Sequence, residues 1–297
     1  MKPVLILILY LITLPAISVD ETAYKKEIDD WQQKRLKSLT AEDGWLTLIG
    51  LFWLKEGENK FGSDSSNAIV ISKMPKIAGS LWLEKGKVRA EVRSNSNVTL
   101  DGKPVTSMAM EDDTSENTTV LKMGSVSFFI IKRGNKLGVR VKDTESDERV
   151  HFKGLQYFPI NTKWRLQSRF EPYNPPKSIP ILNIIGMVED TPSPGALIFR
   201  VNGKEYRIDA LKGDDEMKSL YIIFSDKTSG KETYGAGRYL YTEAPGTDGS
   251  VVIDFNKAYN PPCAFTAFAT CPLPPPQNKL PIRVEAGETY SRHPHNR

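Results

Sequence analysis

The segment from Asp254 to Leu280 constrains this chain more than any other. It carries Pro261, Pro262, Pro272, Pro274, Pro275 and Pro276, together with both cysteines of the protein, Cys263 and Cys271. Proline locks its own φ, removes a backbone donor and pushes the preceding residue toward an extended conformation. Such a segment cannot form a central strand. It reads as a strand ending near Phe255, followed by a long ordered loop that is polyproline-like over residues 272–276. Rigid loops on a scaffold often hold binding groups. Asp254, Asn256, Tyr259, Asn260, Cys263, Cys271 and Asn278 are side chains suited to that role. The alternative is a Pro-rich connection whose Asn side chains cap turns, and the residues alone leave both readings open.

The N-terminus speaks to compartment. Lys2 gives a positive start, Val4–Leu14 an apolar core, and Ala16-Ile17-Ser18 small residues for cleavage. Residues 1–18 therefore read as a signal segment whose apolar run is short for a bilayer span. The expectation is a secreted or periplasmic protein with no stable membrane span after signal removal; a retained anchor is the alternative. Export favours oxidised cysteines, and Cys263 and Cys271 lie eight positions apart, so a disulfide between them is expected. A loop that short adds roughly 2–3 kcal/mol at most.

Beyond the signal the chain is mainly β. Tyr24, Ile28, Trp31, Arg35 and Leu39 recur at helical spacing, so residues 19–42 read as an N-terminal helix. Residues 43–150 read as a first β domain and 151–297 as a second, antiparallel one carrying the Pro/Cys loop. Trp45–Leu54 is apolar enough for a buried strand pair or a short buried helix. Strand candidates follow at Ala68–Ser72, Gly79–Leu83, Lys87–Arg93, Val98–Leu100 and Val126–Lys132, separated by turns such as Lys85-Gly86 and Asp101-Gly102. Phe158-Pro159 and Phe170–Pro176 read as linkers and turns. The second half offers Ile181–Glu189, Ala196–Val201, Glu205–Ala210, Ser219–Ser225 and Val251–Phe255, with Asn202-Gly203 as a hairpin signal.

Tyr259-Asn260-Pro261-Pro262-Cys263-Ala264-Phe265 with Thr270-Cys271-Pro272-Leu273-Pro274-Pro275 resembles the hallmark of the domain-of-unknown-function family sixteen-eighty-four. Gly44–Leu48, Gly50–Leu54, Phe61-Gly62-Ser63, Arg133-Gly134, Gly138–Asp143 and Thr233–Leu240 are similar to the same family in the same order. The resemblance supplies landmarks and no activity. The order of Phe61-Gly62-Ser63, Asn67–Ile71, Asp101–Val105 and Leu121–Ser125 is also similar to forkhead-associated β-sandwiches, which read phosphothreonine. Ser63 stands where that pattern has Arg, so the likeness extends to a sandwich and not to phosphopeptide binding.

The chemistry is narrowed mainly by what is missing. A net charge of +4, with both signs interspersed, does not argue for nucleic acid. His151 is the only histidine outside the extreme C-terminus, and no Gly-x-Ser-x-Gly elbow exists, which disfavours a serine hydrolase. Arg133, Arg140, Asp143, Arg149 and His151 are either an anion-binding or acid–base group or simply solvated strand faces. Gly235-Ala236-Gly237 is neither a P-loop nor a dinucleotide fingerprint, and two cysteines are not a zinc set, so no cofactor or metal is expected. The favoured reading is a small-molecule or glycan pocket between the turn carrying Thr228, Tyr234 and Arg238 and the Asp254–Asn278 loop, with Arg238 paired to Asp254. A hydrolase using Asp254 or a thiol of Cys263/Cys271 in that pocket is the alternative, and an envelope structural or interaction protein the third. Export has a direct check. N-terminal sequencing of protein from its native host should find the chain beginning near residue 19; soluble cytoplasmic protein with Met1 intact would overturn it.

Overall fold

The computed structural model describes residues 20–291, so the expected signal segment 1–18 lies outside the described residues. The first described element is helix α1 (Glu21–Thr40). Asp20 caps it, its carboxylate accepting from the amides of Thr22 and Ala23 at 2.9 and 3.2 Å, as expected of an Asp at a helix start. Tyr24, Ile28 and Leu39 are buried, so the apolar stripe of the sequence faces the body. A single 3₁₀ turn, Trp45–Thr47, leads into the first strand, and Trp45–Leu54 is thus neither a strand pair nor an α-helix.

The first eleven strands are β1 (Leu48–Trp53), β2 (Gly57–Gly62), β3 (Ile69–Val70), β4 (Gly79–Glu84), β5 (Lys87–Val92), β6 (Thr99–Leu100), β7 (Lys103–Pro104), β8 (Ser107–Met110), β9 (Val120–Met123), β10 (Val126–Arg133) and β11 (Lys136–Asp143). They form two sheets, ordered β1-β11-β10-β9-β6-β7 and β3-β2-β4-β5-β8. The pairs are antiparallel except β2 with β3. One core lies between the sheets: Phe61, Leu81, Val88 and Ala90 from one face meet Leu121, Phe128, Ile130, Val139 and Val141 from the other. Alternation puts Val126, Phe128 and Ile130 inward along β10. The first half is therefore a β-sandwich.

A short helix, α2 (Asp147–Val150), precedes the third sheet, made of β12 (Arg165–Leu182), β13 (Val188–Val201), β14 (Lys204–Lys212), β15 (Ser219–Phe224), β16 (Arg238–Glu243) and β17 (Ser250–Asp254). Its order is β16-β15-β14-β13-β12-β17, and every pairing is antiparallel. The hairpin at Asn202-Gly203 forms as expected, with both residues at positive φ. One face of this sheet packs Trp164, Leu197, Phe199, Ile222, Phe224 and Ile253 into a core with Phe255. The other face presents Ile181, Tyr221, Ile223 and Tyr239 to the Pro/Cys loop.

Two stretches of the second half differ from the expectation. Phe170–Pro176 is not a linker: it lies inside β12, the longest strand. The ladder to β13 runs to Pro172, breaks, and resumes at Lys177. Pro175 and Pro176 fall in that break, where no ladder amide is required of them. Similarly, Ile181–Glu189 contains a turn rather than one strand, because the Asn183 side chain accepts from the amides of Ile185 and Met187 and reverses the chain there. No described helix is long and apolar enough to cross a membrane.

Candidate functional site

Arg238 opens β16 and is completely buried. Its partner is Asp226 at 3.2 Å, not Asp254. The guanidinium also donates to the carbonyls of Val284, at 2.9 Å, and Ala286, and lies over the Phe224 ring. Asp226 in turn accepts from the Val284 amide at 2.7 Å and from the Thr228 hydroxyl at 2.8 Å, and the Thr228 hydroxyl meets that of Thr233. Burial pulls the Arg238 guanidinium below its usual range, and the Asp226 charge opposes that pull. Arg238 and Asp226 thus clamp the C-terminal segment onto the sheet, with Thr228 holding Asp226 in place.

Asp254 is a second latch. It accepts from the Tyr24 hydroxyl at 2.8 Å and from the Asn256 amide at 3.1 Å, while the Asn256 side chain donates to Tyr24 and to the Asn161 carbonyl. This fixes α1 to the end of β17. Nearby, buried Glu288 pairs with Arg35 at 2.9 Å and accepts from the Asn260 amide at 2.8 Å; burial nevertheless raises its pKa, against the pull of Arg35. The Arg35 guanidinium sits 4.7 Å from the Tyr259 ring centre. Asn278 is 1% exposed and latches the loop to β14 by accepting from the Asp209 amide and donating to the Asp209 and Ile223 carbonyls.

The two expected walls are joined by hydrogen bonds. Tyr234 donates to the Cys263 carbonyl at 2.9 Å, and Tyr239 to the Pro272 carbonyl at 2.8 Å. Gly237 has φ +92°, and a Cβ there would stand 2.5 Å from the Pro274 ring, so glycine lets the loop close down. Cys263 and Cys271 are buried in this seam as free thiols; the expected disulfide is not formed in this structure. The Cys263 amide approaches Cys271 Sγ at 3.1 Å. The hydrogen-bonding contact between the thiols holds Cys263 below its usual range, while the same contact and burial push Cys271 up.

The charged group of residues 133–151 does not converge. Arg133 pairs with Asp113 at 2.8 Å and Asp143 with Lys73 at 2.8 Å, and Arg149 donates to the Thr40 carbonyl. His151 is exposed, 3.7 Å from Asp147. Arg140 is buried over Trp45 with its pKa pulled down to about 10, by burial first and then by Arg133.

The open space lies one residue beyond the Asn278 latch. A cleft of about 410 Å³ is lined by Tyr173, Lys177, Ser178, Ile179, Pro180, Arg207, Asp209 and Gln277. Asp209, 7% exposed, accepts from the Tyr173 hydroxyl at 2.7 Å and from the Gln277 amide nitrogen at 3.1 Å. Arg207 donates to the Tyr173 oxygen at 2.8 Å and to Glu171 at 2.6 Å. The break in β12 supplies Tyr173 and Lys177, whose ammonium stands 3.7 Å from the Tyr173 ring centre. Reading Phe170–Pro176 as a linker missed the Tyr173 side of this wall. Prolines flanked by alternating strand sequence, Leu166–Phe170 before them and Ile179–Ile181 after, are the signal that would have found it, since bulges are where strands tolerate them.

Residues 150–289 match the sequence profile of the family described as protein of unknown function, DUF1684. Over that span the chain belongs to DUF1684. The Tyr259–Phe265, Thr270–Pro275 and Thr233–Leu240 segments fall inside the matched range, whereas the segments at Gly44–Leu54, Phe61–Ser63 and Arg133–Asp143 lie before it. A solution NMR structure of an uncharacterized protein from Haloarcula marismortui is 33% identical, over 48% of this chain and 78% of that one, with a TM-score of 0.41. An FHA domain solved in a study of phosphothreonine-dependent interactions is 15% identical, over 32% of this chain and 96% of that one, with a TM-score of 0.21. Backbone agreement with both is low. No curated protein matches the chain.

The Arg238 clamp generates a test. Removing one member of a buried ion pair leaves the other charge uncompensated and costs about 3–5 kcal/mol. Arg238→Lys should approach that loss, because an ammonium cannot reach Asp226 and two carbonyls in the same fork. Denaturant unfolding, with hydrogen exchange over residues 281–288, reads both the stability and the released segment. A loss within about 0.5 kcal/mol, the range of a surface change, would show that the clamp is dispensable.

Proposed function

We propose that this is an exported protein that binds a small, hydroxyl-rich molecule, such as a glycan, in the cleft at the β12 break. The observation that carries the reading is buried Asp209 on the cleft wall, held by Tyr173 from one segment and by Gln277 from the Pro/Cys loop. A fixed carboxylate accepts hydroxyl donors, and Arg207 and Lys177 supply donors to the other oxygens of a polyol. The cleft volume falls in the range of small-molecule sites, roughly 300–1,000 Å³. Asp209 is the one carboxylate among the lining residues, where glycoside cleavage by the usual route uses a facing pair. That favours binding over hydrolysis, as does the burial of Asp254 and both thiols.

Calorimetric titration with a panel of mono- and oligosaccharides tests the reading. At least one sugar should bind, and Asp209→Asn, which keeps the shape, should weaken it by roughly tenfold or more with the melting temperature held. Gln277→Ala should lose less. No binding across the panel, or an Asp209→Asn variant with wild-type affinity, would sink it.

Export gives the thiols a second role in this reading. Oxidation of Cys263 and Cys271 joins the two sulfurs and passes two electrons, with release of two protons, to a disulfide oxidant of the exporting compartment. The product would hold the seam that positions Gln277 and Asn278. Thiol counting on denatured, unreduced protein from that compartment should return none; two free thiols would overturn it.

A further inference from the structure

A second cavity, of about 650 Å³, shares no residue with the first cleft. It sits at one end of the third sheet, between the start of β12, the β13–β14 hairpin and the Pro281–Glu285 segment that Arg238 clamps. Two properties coincide there. Its walls include Leu166, Val201, Tyr206 and Ile282, which are the partly buried cap of the core beneath, together with buried Trp164. Around them stand Lys163, Arg200, Lys204, Lys227 and Arg283, against a single lining carboxylate, Glu285. Arg200 is answered by Glu205 at 3.4 Å, and Arg283 by Glu232 and Glu285. Among the described residues, Lys163, Lys204 and Lys227 have no ion-pair partner. Lys163 and Lys204 stand instead beside the rings of Trp164 and Tyr206, 5.6 and 5.8 Å from their centres.

An apolar surface ringed by uncompensated ammonium groups is complementary to a molecule with an apolar body and an anionic head, and to little else. A purely apolar ligand would leave the cations unused, and a bare anion would leave the rings and aliphatic side chains wet. Independently of the lysines, the Trp164 indole N–H is buried and without an acceptor among the described residues. It belongs to the same wall as Lys163 and is a polar group the surrounding protein leaves unpaired. We propose that this cavity binds a small organic anion of the alkyl phosphate or fatty carboxylate class, with its head among Lys163, Lys204 and Lys227 and its chain along Leu166, Val201, Tyr206 and Ile282.

Decyl phosphate below its micelle concentration is the probe, followed by calorimetry on the full mature chain. It should bind, and decanol and inorganic phosphate should each bind more weakly by roughly tenfold or more. Affinity should fall as salt rises from about 0.01 to 0.15 M, the Debye length shrinking from about 30 to 8 Å. The combined Lys163→Gln, Lys204→Gln and Lys227→Gln variant keeps the side-chain stems and should keep its circular dichroism and melting temperature. It should lose roughly tenfold or more in affinity and most of the salt dependence. Asp209→Asn should bind decyl phosphate as the wild type does, which separates this site from the first cleft. Decanol binding as tightly as decyl phosphate, or the triple variant binding unchanged, would overturn the proposal. So would association with phosphatidylglycerol vesicles in the absence of any binding to decyl phosphate, which would make the patch a membrane-contact surface.

Discussion

The buried pair of Arg238 and Asp226 is the interaction on which the rest of the second half depends. Two charges taken out of water are costly, and their attraction offsets that cost only when the remaining donors and acceptors are also met. Here Asp226 is met by Thr228 and by the Val284 amide, and Arg238 by the Val284 and Ala286 carbonyls. Four of those contacts run to backbone or side chain outside the pair, so the pair acts as a connector. It holds a C-terminal segment with no strand structure of its own against a sheet whose ladder it does not extend. The Glu288–Arg35–Asn260 group repeats the device some residues on, and Tyr24–Asp254–Asn256 repeats it where α1 docks.

This explains why polar residues that look like a site in the sequence are mostly not open to a ligand. A Pro-rich loop cannot be held by ladder bonds, because its prolines lack amides. It must be held by side chains, and buried side chains that hold backbone are Asn, Asp, Thr and Arg. Those are also the residue types of binding sites. Asn260 and Asn278 therefore read equally well as ligand contacts and as latches, and the structure uses both as latches. The open cleft falls at the far end of the loop, where Gln277 follows the proline run and faces a strand rather than the seam.

What could be read in advance divides by the range of the interaction. The helix over 19–42, the short strands around Gly and Asn turns and the Asn202-Gly203 hairpin are set by neighbours in sequence, and they appear within a residue or two of where they were expected. The sandwich was expected from the likeness to forkhead-associated sandwiches, and the antiparallel second half from alternating and apolar runs. The partner of Arg238 was out of reach: Asp226 lies just past β15 and Asp254 ends β17, and only the packing of residues 281–286 decides between them. The length of β12 was hidden for a different reason. Asn174-Pro175-Pro176 is a strong local turn signal, and the strand overrides it by breaking its ladder at those residues alone. Lys163, Lys204 and Lys227 come together through the sheet end, with no motif in the sequence to link them.

Both cavities are consequences of where backbone regularity fails. A continuous antiparallel ladder covers its own polar groups and turns alternate side chains to one core or the other, leaving little room for a concave surface. At the β12 break the strand leaves its partner for four residues, and Tyr173 turns to Arg207 and Asp209 of β14 instead of pairing with β13, while Lys177 stands where the ladder resumes. At the sheet end the core has no further strand to cap it, and its upper layer of Leu166, Val201, Tyr206 and Ile282 is covered only in part by the segment that Arg238 holds. A rigid clamp beside each opening makes the geometry of the opening fixed: Asn278 fastens the chain one residue from Gln277, and Arg238 fastens Val284 between Arg283 and Glu285. A ligand entering either cavity therefore meets side chains whose backbone is already held, and the cost of ordering them has been met in folding rather than on binding.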